Sequence, residues 1–189
     1  MLKTYKANTD FFRKKYTLEE LIKTFPPTYQ QRANRYRFPV DAYNFAIGRL
    51  MIQSGIRQFD ADPSWEKITF QKNGKPLHPE IEFNISHSTN QVVGVFSNQG
   101  TVGIDIEVLK GIKLKDFHSF FTPKEWETIY GNKKPLEKFY WYWTRKESII
   151  KALGVTLNFL HHIELDATKD FFLHKGKKWY LSDLNFGKN

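Results

Sequence analysis

The stretch from Ile81 to Val108 constrains the rest of the chain most. Ile81-Glu-Phe-Asn-Ile85 alternates with period two, and Val92-Val-Gly-Val-Phe96 is a short β-branched run. Thr101-Val-Gly-Ile-Asp-Ile-Glu-Val108 follows after a turn at Asn98-Gln-Gly100. This pattern predicts a meander of antiparallel strands. Asp41 reads as the N-cap of a helix running to about Gly55, because Ala42, Phe45, Ala46 and Leu50 follow helical spacing. Residues 65–70 read as a strand ahead of a turn at Asn73-Gly74-Lys75-Pro76. Thr122-Pro-Lys-Glu125 is a capping box that opens another helix. A longer helix is predicted from Leu136 to Leu153, closed by Gly154, and two strands between Ile163 and Leu184. The order helix, strands, helices, strands predicts an α+β fold rather than a doubly wound parallel sheet.

Composition narrows the chemistry. The 189 residues suit one domain, or two small lobes sharing a core, and aromatic residues at 16 % supply a core without covalent staples. Cysteine is absent, which excludes disulfides, zinc–thiolate sites and cysteine nucleophiles. The charged N-terminal decapeptide lacks the apolar run of a secretory signal, and no window has the ~18 apolar residues of a membrane span. The expectation is a cytoplasmic protein with no membrane partner. A net charge of +9 predicts an anionic partner, although the same charge also serves solubility.

Three motifs carry chemistry. In Gly103-Ile-Asp-Ile-Glu107, strand alternation puts Asp105 and Glu107 on one face and Ile104 and Ile106 on the other. Carboxylates so close raise each other's pKa unless a cation intervenes, and Mg²⁺ takes one or two carboxylates plus substrate phosphates. A solvated strand face has the same pattern. In Trp141-Tyr-Trp-Thr-Arg-Lys-Glu-Ser-Ile-Ile-Lys151, the residues Trp143, Glu147 and Lys151 form one helical stripe. Glu147 is a candidate third metal ligand and Lys151 a candidate phosphate contact; a plain Glu-to-Lys surface pair is the alternative. Phe83-Asn-Ile-Ser-His-Ser88 offers hydroxyl, imidazole and backbone donors suited to a phosphate, or simple turn chemistry. There is no Gly-x-Ser-x-Gly elbow, Walker loop or dinucleotide fingerprint.

Together these blocks resemble the 4'-phosphopantetheinyl transferases, in particular their longer, Sfp-type branch. The carrying residues are Val102-Gly-Ile-Asp-Ile-Glu107, then Trp143, Lys146, Glu147 and Lys151, with Gly74-Lys-Pro76 and Asn84-Ile-Ser-His-Ser88 upstream in the same order. The resemblance implies two similar lobes, each an antiparallel or mixed sheet packed with helices, with the active site between them. Residues 1–100 would form the lobe for the adenosine end of coenzyme A, and 101–189 the metal and catalytic lobe. The implied reaction moves the 4'-phosphopantetheine arm of coenzyme A onto a serine of an apo acyl or peptidyl carrier protein, releasing adenosine 3',5'-bisphosphate. Asp105, Glu107 and Glu147 would hold Mg²⁺. Lys151 would contact the pyrophosphate, while Lys75, Ser86 and His87 would bind the adenosine end. The base would be Glu147, Glu125 or a metal-held water. Where the family often has Asp-Ala-x-Arg, this chain reads Asp41-Ala-Tyr-Asn44, which leaves Arg32, Arg35, Arg37 or Arg49 to compensate. Residues 155–189 match the family poorly, and the long branch implies a pseudo-dimeric monomer.

Two other readings compete. A nucleic-acid-binding module would use the basic, aromatic segment Tyr29–Arg49, but leaves the gathered carboxylates unexplained. A Mg²⁺-dependent phosphohydrolase would use the same carboxylates and pass the group to water. The transferase reading requires no nucleic acid.

Overall fold

The computed structural model describes residues 1–71, 74–184 and 186. Its main sheet has three antiparallel strands: β1 (Leu2–Asn8), β4 (Glu82–Ser88) and β5 (Gln91–Ser97), in the order β1-β5-β4. Two-stranded ladders join β2 (Thr69–Phe70) to β3 (Pro76–Leu77), and β6 (Phe171–His174) to β7 (Lys177–Tyr180). Short helices α1 (Thr9–Lys15), α2 (Leu18–Ile22) and α3 (Pro27–Asn34) precede the long α4 (Pro39–Arg57). Later come α5 (Pro123–Tyr130) and α6 (Pro135–Leu153). The mixed α+β class is as expected.

Alternation along the sheet separates two faces. Phe83, Phe96 and Val92 pack with Ile47, Met51, Ile52 and Ile56 of α4. Gly55 permits this approach, since a Cβ there would enter the Phe96 ring. It lies inside α4 rather than at its end. Asp41 sits in the first turn and not at the N-cap, which is Phe38; Pro39 occupies N1, where its fixed φ suits a helix start. On the opposite face, Val93 and Val95 pack with Ile104. A separate aromatic core surrounds α5 and α6, with Phe121, Ile129, Phe139, Tyr142, Ile149 and Leu160 buried.

The predicted meander needs correction in its third member. Residues 101–108 join no ladder. The edge of β5 that a third strand would use is taken by β1, paired from Leu2↔Ser97 to Asn8↔Gln91. The β1 sequence mixes lysines into both faces, which hid it among basic residues. Trp65–Lys67 is a 3₁₀ turn rather than the start of a strand. Trp65 uses its ring against Phe25 and Tyr29, at centroid distances of 5.2 and 5.1 Å. Of the predicted turn before β3, Gly74 has φ +83, the left-handed region that favours glycine, whereas Asn73 lies outside the described residues.

The capping box of α5 forms as read, with Thr122 and Glu125 each bonding the other's backbone N–H. Gly154 closes α6 in the left-handed conformation at φ 68. Between these helices and the sheet, Gly103 lets the 101–108 segment lie against α6. A Cβ there would meet the Ser148 carbonyl and stand 2.7 Å from the Ala152 nitrogen. Gly103→Ala is expected to destabilise the fold by about 1–3 kcal/mol through overpacking against backbone that cannot yield. Urea unfolding of the variant measures this; an unchanged midpoint would show that the contact is not tight.

Candidate functional site

The site is built where β4, the 101–108 segment and the last turns of α6 meet. On β4, the cross-strand pairs Asn84↔Val95, Ser86↔Val93 and Ser88↔Gln91 place Asn84, Ser86 and Ser88 on the face covered by Ile104. Asn84 Oδ1 accepts from the Ile104 backbone N–H at 3.0 Å. Ser86 Oγ donates to Asp105 Oδ1 at 2.8 Å, and Ser88 Oγ donates to Glu107 Oε2 at 2.9 Å. Ser88 Oγ also accepts from the Val108 N–H at 3.2 Å. Asp105 and Glu107 therefore project toward the same strand, as their i, i+2 spacing requires, although the segment carrying them has no ladder of its own.

Lys151 closes the cluster from α6. Its Nζ lies 2.5 Å from Asp105 Oδ1 and 3.0 Å from Ser86 Oγ. It bypasses Glu147, so the plain i, i+4 surface pair does not form. The Asp105 side chain is 3 % exposed, and its second oxygen, Oδ2, is buried with no hydrogen-bond partner among the described residues. Glu147 has its carboxyl pushed above the usual range, first by burial and then by the charges of Asp105 and Glu107, against the lowering effect of Lys151. The three carboxylates thus feel one another, but they are not drawn into a ready cage: among the described residues no group of three or more His, Asp or Glu side chains is arranged to hold a metal. Lys151 supplies the positive charge that the sequence reading gave to a dication. Two acceptors remain unspent, Asp105 Oδ2 and the desolvated Glu147, and hard carboxylate oxygens are the donor type that Mg²⁺ takes alongside phosphate oxygens. The residues fit a hard cation. A groove of about 820 Å³ runs alongside, lined by Asp105 and Glu107 together with Thr144, Arg145 and Ser148 of α6.

Comparison with known proteins settles the family. A family model described as the 4'-phosphopantetheinyl transferase superfamily matches residues 101–187, which corrects the expectation that the chain departs from the family after residue 155. The 4'-phosphopantetheinyl transferase HetI of Nostoc sp. is 30 % identical over 182 residues, which cover 88 % of this chain and 76 % of HetI. The chain belongs to the 4'-phosphopantetheinyl transferase superfamily. The 4'-phosphopantetheinyl transferase Sfp of Bacillus subtilis is 33 % identical over 146 residues, 74 % of this chain and 65 % of Sfp. The 4'-phosphopantetheinyl transferase gsp of Aneurinibacillus migulanus is 41 % identical over 130 residues, 66 % of this chain and 54 % of gsp. The chain spans between about half and three quarters of the length of these curated relatives.

Within this transferase-family chain, the other candidate residues divide. Lys75 reaches the end of α6, donating to the Ala152 carbonyl at 3.0 Å and lying 3.9 Å from Glu82. That carbonyl is in the last turn of α6, where a cation favours the helix dipole. His87 is on the exposed end of β4, and its imidazole is held below the usual range by desolvation first and by Lys151 second. Ser86 lies on Asp105 and Lys151, inside the carboxylate cluster. Arg35 is exposed at the C-cap of α3, and no hydrogen bond or ion pair joins it to the cluster among the described residues. Asn44, standing in the family's arginine position, is buried and donates from Nδ2 to the Thr89 carbonyl at 2.7 Å, bracing the β4–β5 turn.

Glu125 lies away from the carboxylate cluster, in the core beneath α5. Its Oε2 accepts from the Thr122 N–H at 2.9 Å and lies 2.6 Å from Lys146 Nζ, while Oε1 accepts from the Leu165 N–H at 2.9 Å. Both partners of the ion pair are buried, and Lys146 also donates to the carbonyls of Phe120 and Leu160. Burial pushes the Lys146 ammonium down, and the bond to Glu125 offsets this in part. The Glu125 carboxylate is thus engaged within the core and only 1 % exposed. Asn84 and Ser88 belong to the Phe83–Ser88 motif read from the sequence, but their role toward residues 104–108 was not assigned there. Their signal was present: Asn84-x-Ser86-x-Ser88 has the same period of two as Asp105-x-Glu107.

Two outcomes are expected. Glu125→Ala should cost about 3–5 kcal/mol in chemical unfolding, because it strands the Lys146 charge in the core. Glu147→Gln should act oppositely. The raised pKa means that ionising Glu147 costs more in the folded than in the unfolded chain. That cost is absent below the ordinary value of 4.5 and complete above the raised one. The variant should therefore melt higher than wild type at neutral pH, on the order of 1–3 °C, with the difference closing as pH falls to the ordinary carboxylate range. Scanning calorimetry across pH 4–8 tests it; a lower melting temperature at neutral pH would contradict the assignment.

Proposed function

We propose that the protein is a cytoplasmic, monomeric 4'-phosphopantetheinyl transferase that modifies a serine of an apo acyl or peptidyl carrier protein with the phosphopantetheine arm of coenzyme A. The observation that carries this reading is Lys151 Nζ, set on Asp105 and Ser86 beside the unsatisfied Asp105 Oδ2 and the desolvated Glu147. All four residues stand in the motifs that resemble the family. The match to Sfp, HetI and gsp, each named a 4'-phosphopantetheinyl transferase, supports it. In this reading the chain has two lobes, 1–100 and 101–189, with the site between them. Lys75, which bridges from the β2–β3 ladder to α6, favours that arrangement.

The chain's own residues have separable tasks. Lys151 leaves Asp105 and donates to a pyrophosphate oxygen, neutralising charge as it develops. His87 and Lys75 meet the adenosine end and its 3'-phosphate. Glu147 accepts the proton from the carrier serine Oγ. The serine oxygen forms a bond to the phosphorus of the pantetheine phosphate, and the bond from that phosphorus to the bridging oxygen breaks. The departing group is adenosine 3',5'-bisphosphate. Asp105, Glu107 and Glu147 would hold Mg²⁺, which supplies Lewis-acid neutralisation of the pyrophosphate when bound. Positioning and electrostatics are what such a phosphoryl transfer requires. The +9 charge would speed encounter with polyanionic coenzyme A and with an acidic carrier.

The decisive assay incubates the protein with coenzyme A, Mg²⁺ and an apo carrier protein, and weighs the carrier. An adduct of about 340 Da is expected, as for a covalent modification, and EDTA should abolish it. Lys151→Met should lower kcat by about 10²–10³-fold, the usual effect of losing one such donor. Release of phosphopantetheine to water without carrier modification would instead identify a phosphohydrolase. No modification across several acyl and peptidyl carriers would refute the transferase reading.

A further inference from the structure

Glu107 is exposed, and a glutamate with three free torsions does not hold one direction unaided. Its carboxylate is nonetheless engaged by Ser88, a buried hydroxyl on the neighbouring strand. The hydroxyl has little choice of partner. Ser88 Oγ accepts from the Val108 N–H, so its single proton is left to point at Glu107 Oε2. One rung away the pattern repeats, with Ser86 Oγ accepting from Lys151 and donating to Asp105 Oδ1. A third rung, from Asn84 to the Ile104 N–H, completes a comb of three side chains on alternate positions of β4. This comb does for residues 104–108 what a backbone ladder does elsewhere: it fixes both register and side-chain direction. Among the described residues the segment joins no ladder, and besides this comb only Lys151, through Asp105, is hydrogen-bonded to it.

We infer that Ser88 is a positioning residue for the Glu107 carboxylate, and that the Asn84–Ser86–Ser88 comb replaces strand pairing as the device that aims Asp105 and Glu107 at the cation. The inference rests on the function proposed above and adds to it a residue that touches neither coenzyme A nor carrier. Oriented hydroxyl donors next to metal-binding carboxylates commonly govern metal affinity by 10–100-fold when removed.

The test uses the full chain with coenzyme A and Mn²⁺, without carrier, and follows free Mn²⁺ by electron paramagnetic resonance. Ser88→Ala should weaken Mn²⁺ binding by about tenfold or more, and Ser88→Thr, which keeps the hydroxyl, should restore it. With carrier added, Ser88→Ala should lower kcat while leaving KM for the carrier unchanged. In a Glu107→Gln background, Ser88→Ala should change Mn²⁺ binding no further, because its action runs through that carboxylate. If Ser88→Ala fails to fold, Ser88→Cys fills the same space with a poor donor and carries the same expectation. Wild-type Mn²⁺ affinity in a folded Ser88→Ala or Ser88→Cys variant would overturn the inference while leaving the transferase reading intact. Failure of the wild-type protein itself to bind Mn²⁺ or to modify any carrier would overturn both.

Discussion

One ion pair organises the centre of this molecule. Lys151 projects from the last turn of α6 onto Asp105 and Ser86, and so ties the helix to the irregular 101–108 segment and to strand β4 at a single point. The pair is largely withdrawn from solvent on the carboxylate side, where an unpaired charge is costly. Each of the three elements therefore needs the others in place. Gly103 allows the segment to lie against α6, and the comb on β4 sets its register. The pairing is incomplete: among the described residues Asp105 retains an unsatisfied oxygen, and Glu147 is desolvated without a hydrogen bond. Such unspent polar groups cost stability and persist where a ligand completes them.

The second buried ion pair, between Glu125 and Lys146, is a contrast within the same helix. It is saturated: two backbone N–H groups, one of them the capping-box contact from Thr122, and the Lys146 ammonium occupy its carboxylate. Lys146 and Lys151 are only five residues apart on α6, yet one anchors the aromatic core around Phe121 and the other faces the carboxylates. Helical periodicity separates the two tasks, because five residues advance the direction by well over a full turn. A lysine and a glutamate within one family-like motif can thus serve packing, and their neighbours chemistry.

Much of the fold was legible locally. The α5 capping box, the α6 helix with its glycine stop, strands β4 and β5, and the late β6–β7 hairpin each follow from short-range pattern. What escaped was decided at long range. β1 carries lysines among its apolar residues and declares itself only by pairing with β5, some ninety residues away. By occupying that edge it displaced the 101–108 segment from the sheet, although the segment has the better strand pattern. For the site, the residue types at Asp105, Glu107, Glu147 and Lys151 were readable from spacing and family likeness. Which side chain answers which was not: Glu125 proved committed to Lys146, Arg35 stayed in solvent, and Ser86 turned toward Asp105.

By itself the amino-acid sequence determined the α+β class, the family, and the alternation that puts Asp105 and Glu107 on one side of the chain. These depend on periodicity and local hydrogen bonding, which act over a few residues. Only the tertiary structure decided that Lys151 would meet Asp105 rather than Glu147, and that Ser88 would hold Glu107. Those choices depend on where a helix, an edge strand and an unpaired segment come to rest against one another. Distances between such elements are set by packing of the whole core, so no local pattern encodes them.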